Sequence, residues 1–206
     1  MTMKKILILI MMLALCLCFV ACDEEEIPEG MKLASNTEIV DYTMYVPLNW
    51  TVSNSGTTTQ AYSNVDRTNI NIAQWDYTGT IEDWWDGEYK KQVFEAGAVS
   101  GAEIVKNKDG SEGKNYTLDG KAARQYEYTA KIGDTYFKYV VIACKNNGSI
   151  YVLHITYMQD STTEIDPDTG AEKVVPVLND KGKPVFSTVE TRKEDIDSIL
   201  NNFKFN

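Results

Sequence analysis

Thr135-Tyr136-Phe137-Lys138-Tyr139-Val140-Val141-Ile142-Ala143-Cys144, then Lys145-Asn146-Asn147-Gly148, then Ser149-Ile150-Tyr151-Val152-Leu153-His154-Ile155-Thr156-Tyr157 reads as a strand, a tight turn and a returning strand. The β-branched and aromatic content favours a pleated surface. Asn146-Asn147-Gly148 has the Asn-Gly chemistry of a two-residue hairpin turn. Successive side chains of a strand point to opposite faces, so Tyr151, Leu153, Ile155 and Tyr157 share one face, which is assigned to the core. His154 faces the other way, where a packed or helix-covered imidazole is expected.

Working outward, the neighbouring segments repeat this pattern. Ala122–Lys131 alternates and turns at Ile132-Gly133-Asp134. Asp109-Gly110 and Leu118-Asp119-Gly120 are turn sequences. Asn69–Tyr77 alternates polar and apolar residues strictly. Ile39–Val46 ends at Pro47, and short strands are predicted at Trp50-Thr51-Val52 and Thr58–Ser63, on either side of an Asn54-Ser55-Gly56 turn. Two helices punctuate the strands. Thr80-Ile81-Glu82-Asp83 is close to a capping box, and Ile81, Trp85, Tyr89, Val93 and Ala96 form one helical stripe ended by Gly97 and Gly101. Thr191-Arg192-Lys193-Glu194 is a capping box for a helix through Ile196, Ile199 and Leu200, with Phe203 and Phe205 docking behind it. Residues 160–187 are an insertion. Within it Val174–Leu178 and Pro184–Phe186 flank Asn179–Gly182 as a protruding hairpin, with Pro176 at an edge position. The fold class expected is α/β (α+β): an antiparallel sheet flanked by helices.

The N-terminus carries an address. Lys4 and Lys5 precede an apolar run from Ile6 to Val20, which at about 15 residues is short for a bilayer span. It closes on Phe19-Val20-Ala21-Cys22. This order resembles a bacterial lipoprotein signal peptide with its lipobox, although Phe19 stands where Leu is usual. The resemblance implies cleavage after Ala21, a lipid on Cys22, and an extracytoplasmic domain tied to a membrane of the cell envelope. A plain secretory signal cut near Ala21 is the alternative. Residues 22–37 then form a lipidated cysteine and tether, beginning with Asp23-Glu24-Glu25-Glu26, and residues 38–206 form a single domain with the 160–187 insertion.

Composition narrows the partners. The chain has 206 residues and a net charge of −10, and loss of Lys4 and Lys5 with the signal makes the remainder more acidic. Such a surface argues against nucleic acid. Protein partners, neutral glycans, small ligands and cations stay open. Cys16 and Cys18 leave with the signal, so Cys144 is the lone thiol of the domain and is read as a buried apolar residue.

No catalytic or cofactor motif stands out. With one histidine and one thiol the usual zinc sets cannot form, and no Gly-x-Ser-x-Gly elbow or glycine-rich phosphate loop is present. A carboxylate pair for glycoside hydrolysis cannot be singled out from 30 acidic residues. Asp166-Pro167-Asp168-Thr169-Gly170 has the alternating aspartates of a calcium loop but lacks its later ligands, so a turn is expected. No metal, cofactor or catalytic residue is assigned. The aromatics are the better lead. Trp85 fits the helical stripe, whereas Trp84 is turned about 100° from it and is predicted on a flank or exposed. Trp75, Trp84, Tyr126 and Tyr128 are candidate binding residues, as are Val175, Val177 and Phe186 of the insertion.

Three pieces taken in order carry a family resemblance. Tyr45-Val46-Pro47-Leu48-Asn49-Trp50 is an aromatic corner. The Thr80 helix is followed by Asp119-Gly120 leading into Ala122–Tyr128. Ile196–Phe205 closes the chain as a helix followed by Phe-x-Phe. Together they resemble the PsbP-like superfamily, which includes DcrB-type bacterial lipoproteins, over residues 38–206 minus the insertion. The resemblance implies an α/β/α sandwich, no shared catalytic residues, and action as a binding or assembly factor. The reading is therefore a membrane-anchored, non-enzymatic module for an extracytoplasmic protein partner. A small-ligand or glycan-binding lipoprotein and an unrecognised hydrolase are the alternatives.

Overall fold

The computed structural model describes residues 26–206. Cys22, the signal segment and the start of the tether lie outside the described residues. One antiparallel sheet organises the rest. Across it run β4 (Trp50–Ser55), β5 (Thr58–Ser63), β6 (Asn69–Trp75), β11 (Ser149–Met158), β10 (Thr135–Asn146), β9 (Lys121–Ile132) and β7 (Ser100–Ile104). β8 (Lys114–Leu118) pairs with β9 on the same side as β7. β7 and β8 are thus one edge strand interrupted by residues 105–113, and Val105 N still donates to Glu127 O at 2.8 Å.

The β10–β11 hairpin sits at the centre, with Val141 opposite His154 and Ile142 opposite Leu153. Its turn residues Asn147 and Gly148 have φ of 48° and 82°. Two successive positive φ values are what a type I′ turn needs, and Asn and Gly adopt them at least cost. Both faces of this hairpin are buried. Ile142, Cys144, Leu153, Ile155 and Tyr157 pack into one core, and Tyr139, Val141, Ala143, Ile150 and Val152 into a second core on the opposite side.

The first face is covered by the chain termini. Helix α3 (Lys193–Asn201) inserts Ile196 and Ile199, following a single turn α2 (Thr188–Thr191). Phe203 is fully buried and stacks on Tyr42 at 5.7 Å. β14 (Lys204–Phe205) pairs with β2 (Tyr42–Thr43), and β1 (Met31–Leu33) pairs with β3 (Tyr45–Pro47). Arg192 fastens α3 to the β5–β6 turn through Asp66, Nε to Oδ2 at 2.5 Å. The second face is covered by the segment that Thr80 caps, its side chain accepting from Asp83 N at 3.0 Å. Here α1 (Ile81–Trp84) passes directly into π turns at Trp85–Tyr89 and Lys91–Glu95.

Several expectations change. The protein is mainly antiparallel β, with short helical segments on the two faces rather than substantial helical layers. The ordered chain begins before residue 38: Met31 and Ala34, both buried, belong to the first core, although the polar residues around them hide any periodicity. The C-terminal helix is entered through the Thr188 turn, with Arg192 at its N-cap and no side-chain cap bond, so Thr191 does not form the expected capping box.

Candidate functional site

The insertion is an arm built from two turns instead of one. β12 (Ser161–Ile165) pairs with β13 (Glu172–Pro176), so the partner of Val174 is Thr163 and not the 184–186 segment. The Asp166 carboxylate accepts from Asp168 N and Thr169 N, both at 2.9 Å, and this closes the turn and draws its acid group below the usual range. The aspartate that suggested a calcium loop is thereby engaged by its own backbone. Among the described residues, no group of His, Cys, Asp and Glu is placed to hold a metal ion. Beyond β13, Leu178 bridges Pro184 around a second, smaller turn. At the root Val177 N donates to Asp160 O at 2.9 Å, and Ser187 N and Oγ donate to the Asp160 carboxylate.

The ribbon leaves apolar side chains in water. β12 is exposed throughout and β13 nearly so. Ile165 is 62% exposed, Val174 71% and Leu178 50%. Register puts Ile165 and Val174 on one face with Pro176, while Val175 points to the other. Val175 and Val177 are partly covered, and Phe186 packs against the first core at the arm's root.

The aromatic candidates on the sheet form one stack. Trp84 is fully buried, which corrects its expected flank position. The cause is the π winding: an i→i+5 turn is wider than an α turn, and adjacent Trp84 and Trp85 both reach the sheet. Trp85 lies between Tyr126, at 4.0 Å and nearly parallel, and Tyr89 at 4.7 Å. Trp75 meets Trp84 edge-on at 5.4 Å. Tyr89 and Tyr128 join their hydroxyls at 2.9 Å, and burial drives both phenols far above their ordinary pKa. Glu112, from the 105–113 excursion, accepts from Trp85 Nε1 and from Lys90, each at 2.8 Å. His154 meets the edge of Tyr89 at 5.4 Å. Its Nε2 is enclosed without a partner among the described residues, and burial lowers its pKa to about 4. Cys144 is likewise buried, its thiol pushed up to about 11 by burial. These rings fill a core, and three of them also border open clefts, Trp85 and Tyr126 one and Tyr128 another.

Open space lies on both faces: a cleft of about 350 Å³ on the second is bordered by Trp85, Lys90, Glu112 and Tyr126, and two more lie on the first. A cleft of about 440 Å³ runs between β7, β9 and β10 and the arm's root, bordered by Val105, Thr129, Tyr136, Pro184 and Phe186. A second cleft, of about 360 Å³, lies between β8–β10 and the C-terminal helices, bordered by Tyr116, Gln125, Val140 and Leu200. Both reach Lys138. The lysines here are held by carboxylates: Lys183 by Glu103 at 2.8 Å, Lys138 and Lys114 by Glu127 at 3.3 and 3.5 Å, and Lys193 by Asp197. Burial works against the Glu127 charge, but the two lysines and Gln125 outweigh it and hold its pKa below the usual value.

No family model and no curated protein matches the chain. Among solved structures, it is similar to a protein of unknown function from Pseudomonas aeruginosa, with a TM-score of 0.38 and 14% identity over 61% of this chain and 81% of that one.

Sequence reasoning thus located the arm, and of its aromatic candidates Trp75 and Trp84 lie in the ring stack while Tyr126 and Tyr128 also border clefts. Ile165, the most apolar residue of β12, was missed because Ser161–Ile165 is too polar to announce a strand. Tyr136, which borders one cleft, was passed over because it sits within a strand read as sheet alone, and Tyr116, which borders the other, because no element was read between the Asp109-Gly110 and Asp119-Gly120 turns. The aromatic spacing Trp84, Tyr89, Phe94 was a legible signal for π winding: it steps by five, the i→i+5 interval, where an α stripe steps by three and four.

Proposed function

We propose that this protein is a lipid-anchored, extracytoplasmic, non-enzymatic module that binds a protein partner through its arm, on a domain of the PsbP-like α/β/α kind. The observation that carries this reading is the arm, with Ile165 and Val174 on its ribbon and Leu178 just beyond it all at least half exposed. A two-stranded ribbon gains little stability alone, and apolar side chains displayed on one face of it gain by being covered. Two helical segments on opposite faces of an antiparallel sheet support the PsbP-like comparison, and the lipobox-like Cys22 supports the anchor.

The test is a crosslinking pull-down from native membranes, read by mass spectrometry. It compares the wild type, Cys22→Ala, and a variant in which residues 161–176 are replaced by Asn-Gly. The strands already meet at the root through Val177 N and Asp160 O, so the excision leaves the sheet intact. A partner captured by the wild type and lost with the ribbon is the expected result. A partner profile unchanged by the excision overturns the arm's role, and an unchanged membrane fraction for Cys22→Ala overturns the anchor.

A further inference from the structure

The two clefts on the first face raise a separate question, independent of the arm. Each falls within the range of small-ligand sites, roughly 300–1,000 Å³, and they meet at Lys138. Three properties define what fits them. First, the charge is balanced. Lys114, Lys138, Lys183 and Lys193 all line this surface, and each is already held by a carboxylate. An anionic or cationic ligand would have to break these pairs, whereas a neutral ligand can take the remaining hydrogen-bonding capacity of the same groups and of Gln125, Thr129 and Asn179. Second, half-buried tyrosines stand along it, Tyr136 in one cleft and Tyr116 in the other. An aromatic ring with a polar tip suits a ligand having both C–H faces and hydroxyl edges. Third, the floor offers no free backbone. β9 is paired to β10 on one side and to β7 and β8 on the other, and β10 lies between β9 and β11. An extended peptide recognised by strand addition needs an unpaired edge, and among these strands only the outer sides of β7 and β8, away from the floor, offer one.

We infer that the paired clefts bind a neutral oligosaccharide, laid across β9 and β10 past Lys138 with sugar rings against Tyr116 and Tyr136. The charge pairs orient sugar hydroxyls without selecting an ionic group, and the length of the surface favours several linked residues over a monosaccharide.

The experiment uses the full chain in sugar-free lipid nanodiscs, since glycosidic detergents would compete. It is titrated calorimetrically with neutral hexasaccharides (α- and β-linked glucose, xylose, mannose and N-acetylglucosamine), with hexagalacturonate, and with a mixture of uncharged decapeptides. At least one neutral hexamer binds, and its trisaccharide binds more weakly. Tyr116→Ala and Tyr136→Ala each weaken it about tenfold. Tyr116→Phe and Tyr136→Phe retain the ring and most of the affinity, which separates stacking from damage to the fold. Absence of binding by every neutral hexamer overturns the proposal. So does preferential binding of hexagalacturonate, binding of the peptides alone, or affinity untouched by both alanine variants.

Discussion

The two faces of the sheet are covered by helical segments of opposite character. Over the second face, a π-wound segment delivers Trp84, Trp85, Tyr89 and Phe94 onto Tyr126 and Tyr128, ring against ring, with a cleft left beside Trp85 and Tyr126. Over the first face, α3 is nine residues long, about 13 Å at 1.5 Å per residue. It buries β6, β10 and β11 but stops short of β8 and β9, where the clefts open. Both faces begin with the same alternating strands. The size of the covering side chains and the reach of the helix decide how much of each face becomes core and how much stays accessible.

The sharpest way to break this contrast is to open the ring-packed face. Trp85→Ala removes a ring held between two tyrosines and one of the two donors to Glu112, which keeps Lys90. It should cost about 3–5 kcal/mol, whereas Leu200→Ala on the cleft rim should cost clearly less, as read from urea unfolding of both. Equal losses would mean that the faces are equally tight. A second test uses pH. In the unfolded chain His154 titrates near 6.5, and in the fold burial holds it at about 4. Between these values the unfolded state binds the additional proton, so stability falls as pH drops from 6.5 towards 4 and this contribution levels off below. The difference corresponds to about 3 kcal/mol. His154→Phe should flatten that slope in urea midpoints taken at pH 7 and 4.5; an unchanged slope would assign the acid sensitivity elsewhere.

A smaller effect is expected where α3 is fastened to the first face. Burial opposes the Asp66 charge, but hydrogen bonds from Arg192 and Thr68 N outweigh it and keep its pKa below the ordinary 3.8. Its contribution is therefore complete above 3.8 and is lost as pH falls through the folded value. Asp66→Asn should cost about 1.5–3 kcal/mol at pH 7 and progressively less in acid. A cost independent of pH would show packing rather than charge at work. Smallest of all, replacing residues 161–176 with Asn-Gly should change global stability by less than about 0.5 kcal/mol, as a calorimetric scan would reveal. A larger loss would make the ribbon part of the fold.

Much of the sheet was legible because alternation and turn chemistry agree in the same segments: Asn147-Gly148 and Asp119-Gly120 both adopt the positive φ that their identities suggested. The N-terminal strand escaped notice because three residues, Met31–Leu33, cannot show a period. The arm was legible in part: Leu178 pairs with Pro184 and Val185 N donates to Val177 O around Asn179–Gly182, as expected, whereas Val174 and Val175 pair with Ser161–Ile165, a segment too polar to announce a strand. The clefts were hidden for a different reason. An open surface arises where a covering element ends, and the helix pattern in the sequence carries no mark of what it fails to reach.

The π-wound segment also has a consequence for how this chain can vary. Each π turn holds one residue more than the α turn it replaces, so the segment behaves like an α-helix that has absorbed insertions. Gly87 lies on its exposed side, with open space where a Cβ would stand. Loss of that one residue from a related gene would rewind the first π turn to α and swing Tyr89 and Phe94 around the axis relative to Trp84. Descendants with such a deletion would need new partners for their rings. Length changes between positions 84 and 95 should therefore travel together with substitutions at Tyr126 and Tyr128, and a gap there in an otherwise aligned relative would mark a reorganised aromatic floor.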